Sequence, residues 1–433
     1  MSEATSGPGA AAAKGLNWGW KRGAGVAGAA IGVVAAGAAA GVALERLTVG
    51  RGMRRRARVA LDSAGPYGTL RGTPGTAVAE DGTELYYEVD EGDEVDEGDE
   101  VDEGVGAAAG GGAQGAALRK RLFGRRAPRQ PVTVVFSHGY CLGQDAWHFQ
   151  RAALRGAVRG VYWDQRSHGR SERGRAQRAS RERVGEAEDS APVSIDLLGR
   201  DLKAVIDAAA PEGPLVLVGH SMGGMTMMAL AAQYPDLVAE RVVGAAFIGT
   251  SAGNLADVNY GLPVVGMNAV RRVLPGVLKA LGSQADLVEK GRRATADLFA
   301  GIVKRYSFGA KDVDPGVARF AERLIEATPI DVVAEFYPAF AEHDKIEALC
   351  AFDHMPALIL AGAGDLITPS EHSEAIAAAL PDAELTLVPD AGHLVMLEHP
   401  ETVNARLAEV LAAAGAGEAL TTRAASGEGT ERG

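Results

Sequence analysis

Apolar residues in this chain gather in short runs separated by stretches of helical periodicity. Residues 132–136, 160–163, 215–218, 242–248, 357–361 and 385–388 are runs of four to seven, long enough for a strand and too short for a helix. Between them, residues 147–154, 193–210 and 222–233 read as helices, and Ile195, Leu198, Leu202, Val205 and Ile206 share one helical face. Strands that are apolar throughout belong to a parallel sheet covered by helices on both sides. Residues 75–89 read as a hairpin instead, with 76–78 and 85–87 flanking the turn dipeptide Asp81-Gly82. The pattern predicts one α/β domain over 75–413. Between Thr250 and Asp353 the strand signal disappears, which predicts a helical cap over 251–353.

The flanks read differently. Residues 1–22 form a tail, 45–74 a basic linker, 90–130 a disordered acidic and Ala/Gly-rich insert, and 414–433 a disordered tail. Residues 23–44 are an uncharged run of ten Ala, six Gly, four Val, Ile31 and Leu44. A helix of that length measures about 33 Å, enough to cross a bilayer core. Three readings stand: a membrane anchor, a cleaved export signal or a mobile Ala/Gly-rich leader. Lys14, Lys21 and Arg22 precede the run, and Ala38-Ala39-Ala40 would suit cleavage. The heavier basic flank, Arg46 to Arg58, follows it, so an anchor would leave the catalytic part membrane-associated on the cytoplasmic side. Export is the alternative.

The 433 residues are 47% apolar, which provides ample core and excludes a wholly disordered or fibrous chain. The formal charge is −12, but eleven acids lie between Glu88 and Glu103, so the rest of the chain sums to about −1. No protein-wide basic surface points to nucleic acid. Cys141 and Cys350 are the two cysteines, too few for a disulfide framework or a cysteine-rich zinc site. The Asp/Glu repeat of the insert lacks the Gly-centred spacing of a calcium loop.

The chemistry concentrates at strand ends. Gly219-His220-Ser221-Met222-Gly223 lies between a buried strand and a helix. There a serine occupies a sharp turn that needs small neighbours, and the helix N-terminus offers N–H groups to a developing oxyanion. A serine hydroxyl needs a base, and the base an orienting carboxylate. Asp365 follows the strand 357–361 and His393 follows 385–388, so Ser221, Asp365 and His393 run in the order of a hydrolase triad. Among rivals, His220 reads as structural with its side chain turned from the pocket, His168 as a loop brace and His399 as a surface cap. Asp390, Asp344 and Asp353 are the competing acids. Gly139 lets the chain turn after its strand, which assigns the oxyanion donors to the backbone N–H groups of Tyr140 and Met222. Leu142, Trp147 and Met225, with Met222, suggest an apolar acyl pocket, and Cys141 reads as packing.

Together, His138-Gly139, Asp164-Gln165-Arg166-Ser167-His168-Gly169-Arg170-Ser171, Gly219 to Gly224, Gly364-Asp365 and Gly392-His393 make the chain resemble the α/β-hydrolase superfamily. The likeness is to its capped form, similar to bacterial esterases and epoxide-hydrolase-like proteins. The resemblance implies an eight-stranded, mostly parallel sheet with a helical cap over an acyl pocket. The family's dehalogenases and epoxide hydrolases use an aspartate nucleophile where this chain has Ser221, which argues against both reactions. The expectation is a serine hydrolase of a carboxylic ester or similar acyl bond, taking a small lipophilic substrate, with no metal and no organic cofactor. The same triad could serve thioester cleavage, carbon–carbon bond hydrolysis or cofactor-free perhydrolysis, and a non-catalytic binding protein of the same fold is the reading from another class.

Overall fold

The computed structural model describes residues 67–92, 131–175, 193–258 and 296–416, with positions 260, 273 and 276. The expectation for the run 23–44 falls outside these residues, as do nearly all of the insert and the C-terminal tail. Among the described residues no helix is long and apolar enough to cross a membrane.

Eight strands form a single sheet in the order β1-β2-β4-β3-β5-β6-β7-β8. They are β1 (Thr73–Val78), β2 (Glu84–Asp90), β3 (Thr133–Ser137), β4 (Arg159–Trp163), β5 (Leu215–His220), β6 (Val242–Ile248), β7 (Ala357–Gly362) and β8 (Glu384–Val388). The first two pair antiparallel, β2 runs antiparallel to β4, and every later pairing is parallel. The sheet is thus eight-stranded and mostly parallel, as the apolar runs predict.

Alternation along each strand feeds two cores. Val134, Phe136, Val216, Val218, Ala246, Ile248, Leu358 and Leu360 face one side. There they meet α1 (His148–Leu154) and α10 (Pro400–Leu411) through Leu154, Val403 and Leu407. Val135, Val161, Leu217, Ala245, Phe247 and Ile359 face the other. They are covered by α2 (Ile195–Ala209), α3 (Met222–Gln233), α4 (Pro235–Arg241) and α8 (Ser370–Ala379). The predicted face of α2 is the buried one, and Ser194 caps the helix by accepting the Leu197 N–H at 3.2 Å.

Between β6 and β7 the described chain is helical and contributes no strand to the sheet. It holds α5 (Ala296–Ser307), α6 (Pro315–Ala327) and α7 (Ile330–Ala341), before a 3₁₀ segment at Ile346–Phe352. Asp314 starts α6 by accepting the N–H groups of Gly316 and Val317, with Pro315 in the first turn. α9 (Val395–Glu398) follows β8.

The domain begins earlier than its hydrophobic runs predict. Tyr67, placed in the linker by composition, packs 5.4 Å from the rings of both His148 and Phe149, and the Gly72 N–H donates to Glu88. At the other edge of the hairpin, Asp90 closes β2 and forms a buried bidentate pair with Arg151 at 2.8 Å, so the insert opens only after it. Both boundaries are set by partners distant in sequence, aromatic rings at one and a guanidinium at the other, which local composition does not reveal.

Candidate active site

All the singled-out motifs emerge at the carboxyl ends of the parallel strands. In such sheets, ligands bind where the strand order reverses. Here β3 lies between β4 and β5, so the loops after β3 and β5 face each other across that point. A Cβ on Gly139 would sit 2.6 Å from His220 Nδ1 and 3.1 Å from Ser221 Cβ, so only glycine lets the two turns meet.

Ser221 has φ 52° and ψ −119°, a strained conformation that stores about 1–3 kcal/mol. The glycines around it are required by contact rather than by φ. On Gly223 a Cβ would lie 2.0 Å from the Ser137 carbonyl oxygen, and on Gly219 it would lie 2.5 Å from Met227 Sδ. The Ser221 N–H donates to Ile248 O at 2.9 Å, and its carbonyl accepts from Thr250 Oγ1 at 2.7 Å, which fixes the turn against the end of β6. Met222 is the first residue of α3, so its N–H sits at the positive end of that helix.

His393 Nε2 lies 3.0 Å from Ser221 Oγ, and His393 Nδ1 lies 2.8 Å from Asp365 Oδ2. The three side chains are almost fully enclosed, at 6%, 6% and 4% exposure for Ser221, His393 and Asp365, so the contacts are little screened by water. Burial pushes the Asp365 carboxyl up. His393 beside it and the N–H groups of Thr368 and Ile367 outweigh that and hold it below the usual carboxylate value. Asp365 is therefore ionised and orients the imidazole with Nδ1–H toward it, leaving Nε2 to accept from the serine hydroxyl.

The rival residues lie elsewhere. His220 is structural, but its ring is turned toward the site rather than from it. It packs 4.8 Å from the His393 ring, and its Nε2 donates to the His393 carbonyl at 2.9 Å. His168 braces its loop through Nδ1 and Arg166 O at 2.9 Å. His399 occupies the N-terminal cap position of α10 but makes no side-chain capping bond, and its Nε2 is buried, so it is not a surface cap. Asp390, Asp344 and Asp353 are exposed.

Of the expected pocket residues, Met225 joins Met222 in a cluster with Val332 and Phe336 of α7, and Tyr140 packs against it. Leu142 and Trp147 belong instead to the core between the sheet and α10. Trp147 is fully buried against Phe136 and lies edge-on to the back of His220. Its aromatic bulk fills the space behind the turn, a role that sequence cannot separate from pocket lining. Tyr140 also donates its hydroxyl to the Val333 carbonyl, tying the loop after β3 to α7. A cavity of about 760 Å³ opens beside the acid loop, walled by Ala252, Asp257, Val258, Leu366 and His372 among others.

The residues that support the site come partly from the Asp164–Ser171 stretch and partly, as with Glu398, from outside any quoted motif. Gln165 takes the His138 carbonyl through Nε2 and the Thr226 hydroxyl through Oε1, joining the β3 and β4 loops to α3. Arg166 pairs with Asp201 of α2 at 2.5 and 2.6 Å. Asp164 accepts the N–H groups of Gln144 and Arg170. The conspicuous stretch from Asp164 to Ser171 is thus a brace around the site. Glu398 gathers the N–H groups of Gly309, Ala310 and Gly392 at 2.7–3.1 Å, holding the loop that carries His393.

Residues 132–400 match the family described as alpha/beta hydrolase fold, a span of more than half the chain. The chain belongs to that family. Among its curated relatives is the sn-1-specific diacylglycerol lipase ABHD11 of Mus musculus, 32% identical over 223 residues. That match spans 50% of this chain and 65% of the relative, just under two thirds of the relative's length. A 2-hydroxy-6-oxo-6-(2'-aminophenyl)hexa-2,4-dienoic acid hydrolase of Metapseudomonas resinovorans is 24% identical over 203 residues, 47% of this chain and 61% of that one. Among solved structures, a thermophilic esterase from Thermogutta terrifontis superposes with a TM-score of 0.51 at 21% identity, covering 79% of this chain and 98% of the esterase. At that identity the likeness concerns the α/β-hydrolase fold alone.

Proposed function

We propose that this α/β-hydrolase-fold protein is a serine hydrolase that cleaves a carboxylic ester or similar acyl bond of a small, largely apolar substrate. The observation that carries the reading is the run of contacts from Ser221 Oγ through His393 to Asp365, at 3.0 and 2.8 Å. Ser221 attacks the acyl carbon while His393 Nε2 takes its proton, and Asp365 balances the imidazolium that forms. The N–H groups of Tyr140 and Met222 receive the oxyanion, each worth about 3 kcal/mol in the transition state. His393 then hands the proton to the departing alkoxide. Water attacks the acyl-enzyme with His393 again as base, and Ser221 is restored.

The wall of Met222, Met225, Val332, Phe336 and Tyr140 suits an apolar acyl group, with α7 acting as a cap. The adjoining cavity of about 760 Å³ is of a size for small-molecule ligands. The name of the mouse relative, a diacylglycerol lipase, agrees with a lipophilic substrate. The uncharged run at 23–44 adds a membrane tether to this reading, with the catalytic domain on the cytoplasmic side.

The test is hydrolysis of chromogenic esters of graded acyl length by the full chain and by its Ser221→Ala variant. Loss of turnover by about a thousandfold or more is expected in the variant, and the preferred acyl length sizes the pocket. Equal turnover by both proteins would overturn the reading.

A further inference from the structure

Thr368 is 1% exposed, and its hydroxyl oxygen stands at a crossing of three polar atoms. It lies 2.8 Å from Asp365 Oδ2, 2.9 Å from the Gly249 carbonyl oxygen and 3.4 Å from His393 Nδ1. A hydroxyl has one proton, so it can donate fully to the carboxylate or to the carbonyl but not to both. The two carboxylate oxygens are not equivalent. Oδ1 is occupied by the N–H groups of Ile367 at 2.7 Å and Thr368 at 3.0 Å. Oδ2 is the oxygen that meets the imidazole, and it is the one the hydroxyl reaches.

We propose that Thr368 is a positioning residue for the Asp365–His393 pair, its hydroxyl proton swinging between Asp365 Oδ2 and the Gly249 carbonyl and so setting how much carboxylate charge faces the imidazole. The inference rests on the serine-hydrolase reading. With the proton on Oδ2, part of that oxygen's charge is neutralised and His393 stays neutral, ready to act as a base. When His393 takes the Ser221 proton, the hydroxyl turns to Gly249 O and leaves Oδ2 wholly to the imidazolium. The rotation costs little, because a hydroxyl turns about one bond and an acceptor waits in each direction. A bare turn-capping role would need only the Thr368 N–H.

Other titratable groups around the pair come from three further elements. His220 closes β5 and touches the His393 ring. His372 lies on α8 near Asp365. Glu398 on α9 accepts the N–H of Gly392, the residue before His393. None of them supplies a donor to Asp365 Oδ2 among the described hydrogen bonds.

The experiment compares pH profiles of kcat/KM for the full chain as wild type, Thr368→Val and Thr368→Ser on one chromogenic ester, with Ser221→Ala as control. Valine keeps the shape of threonine and removes the proton. Oδ2 then becomes more negative, the imidazolium is favoured, and the acid limb is expected to move up by about half a pH unit or more. Serine restores the donor and is expected to return the limb to the wild-type position. If valine proves unstable at this buried site, Thr368→Ala removes the same proton and carries the same comparison. An acid limb unmoved or lowered in the folded Val or Ala variant, or a Ser variant that behaves like Val, overturns the inference. An inactive Ser221→Ala protein beside an unmoved Thr368→Val profile sinks the role of Thr368 alone. A Ser221→Ala protein as active as wild type sinks the serine-hydrolase reading itself.

Discussion

His220 Nε2 lies 2.9 Å from the His393 backbone carbonyl, so one buried hydrogen bond joins the turn that carries Ser221 to the loop that carries His393. Replacing His220 by Ala leaves that carbonyl without its donor, at a cost of about 1–3 kcal/mol. The variant is expected to unfold at lower temperature and to lose kcat by about tenfold or more, because misplaced reacting groups are penalised steeply. His220→Gln, which can still donate, is expected to recover part of both. Thermal unfolding and initial rates on one ester would check this.

Strain at Ser221 makes a separate claim. Its positive φ is disfavoured for any side chain and free for glycine. Ser221→Gly is expected to be inactive yet about 1 kcal/mol more stable than wild type, with relief of strain exceeding glycine's entropy cost. Urea unfolding would measure it, and a destabilised glycine variant would mean that the turn is not strained.

Gly223 admits no side chain. A methyl there would stand 2.0 Å from the Ser137 carbonyl oxygen, a backbone atom that cannot move without shifting β3. Gly223→Ala is expected to cost about 3 kcal/mol or more, in the range that marks a local structural break. Soluble yield and unfolding midpoint are the readouts.

Four buried histidines make stability depend on acidity. Burial lowers His138 and His343 to about 4 and His168 and His220 to about 3, from an ordinary 6.5. Below pH 6.5 the unfolded chain takes up protons that the folded chain refuses, so stability falls as the pH drops. Each such histidine contributes a slope of about 1.4 kcal/mol per pH unit until its folded value is reached. Asp365, held below its ordinary value, adds a further loss below about pH 4. Urea midpoints measured between pH 7.5 and 4.5 are expected to fall steeply, and a flat series would contradict these burials.

Arg173 ties the loop after β4 to α7. Its guanidinium meets Asp331 at 2.6 Å and also Glu335, both on α7. Arg173→Ala is expected to loosen α7 over the apolar wall, costing about 1–3 kcal/mol after allowance for its partial exposure. Hydrogen exchange should speed up in α7 while β5 and β6 remain protected, and KM should change more than kcat.

The sheet was legible because its central strands are largely apolar and buried throughout and the hairpin before them is marked by its turn dipeptide. β6 and α3 begin and end where the pattern places them. Ser221, Asp365 and His393 were legible because strand ends are the places where such a fold can expose chemistry. Trp147 was not, since an apolar residue near a site reads the same whether it lines a pocket or fills the space behind a turn. Thr368 and Glu398 were invisible for another reason: each meets backbone groups brought near only by folding, Gly249 O for one and the N–H groups of Gly309 and Ala310 for the other, and such partners leave no spacing in the sequence. The start of the domain was missed likewise, because Tyr67 finds its place through rings more than eighty residues away.

The excursion between β6 and β7 is pinned at its start and again between α5 and α6. Thr250 fastens its departure to the Ser221 carbonyl, while Glu398 gathers Gly309 and Ala310 onto the same carboxylate that holds Gly392. Leu394 adds a bond to Ser307 at 2.8 Å. Both moorings land on backbone that adjoins Ser221 or His393, so the described part of the excursion and the site are fastened at shared points.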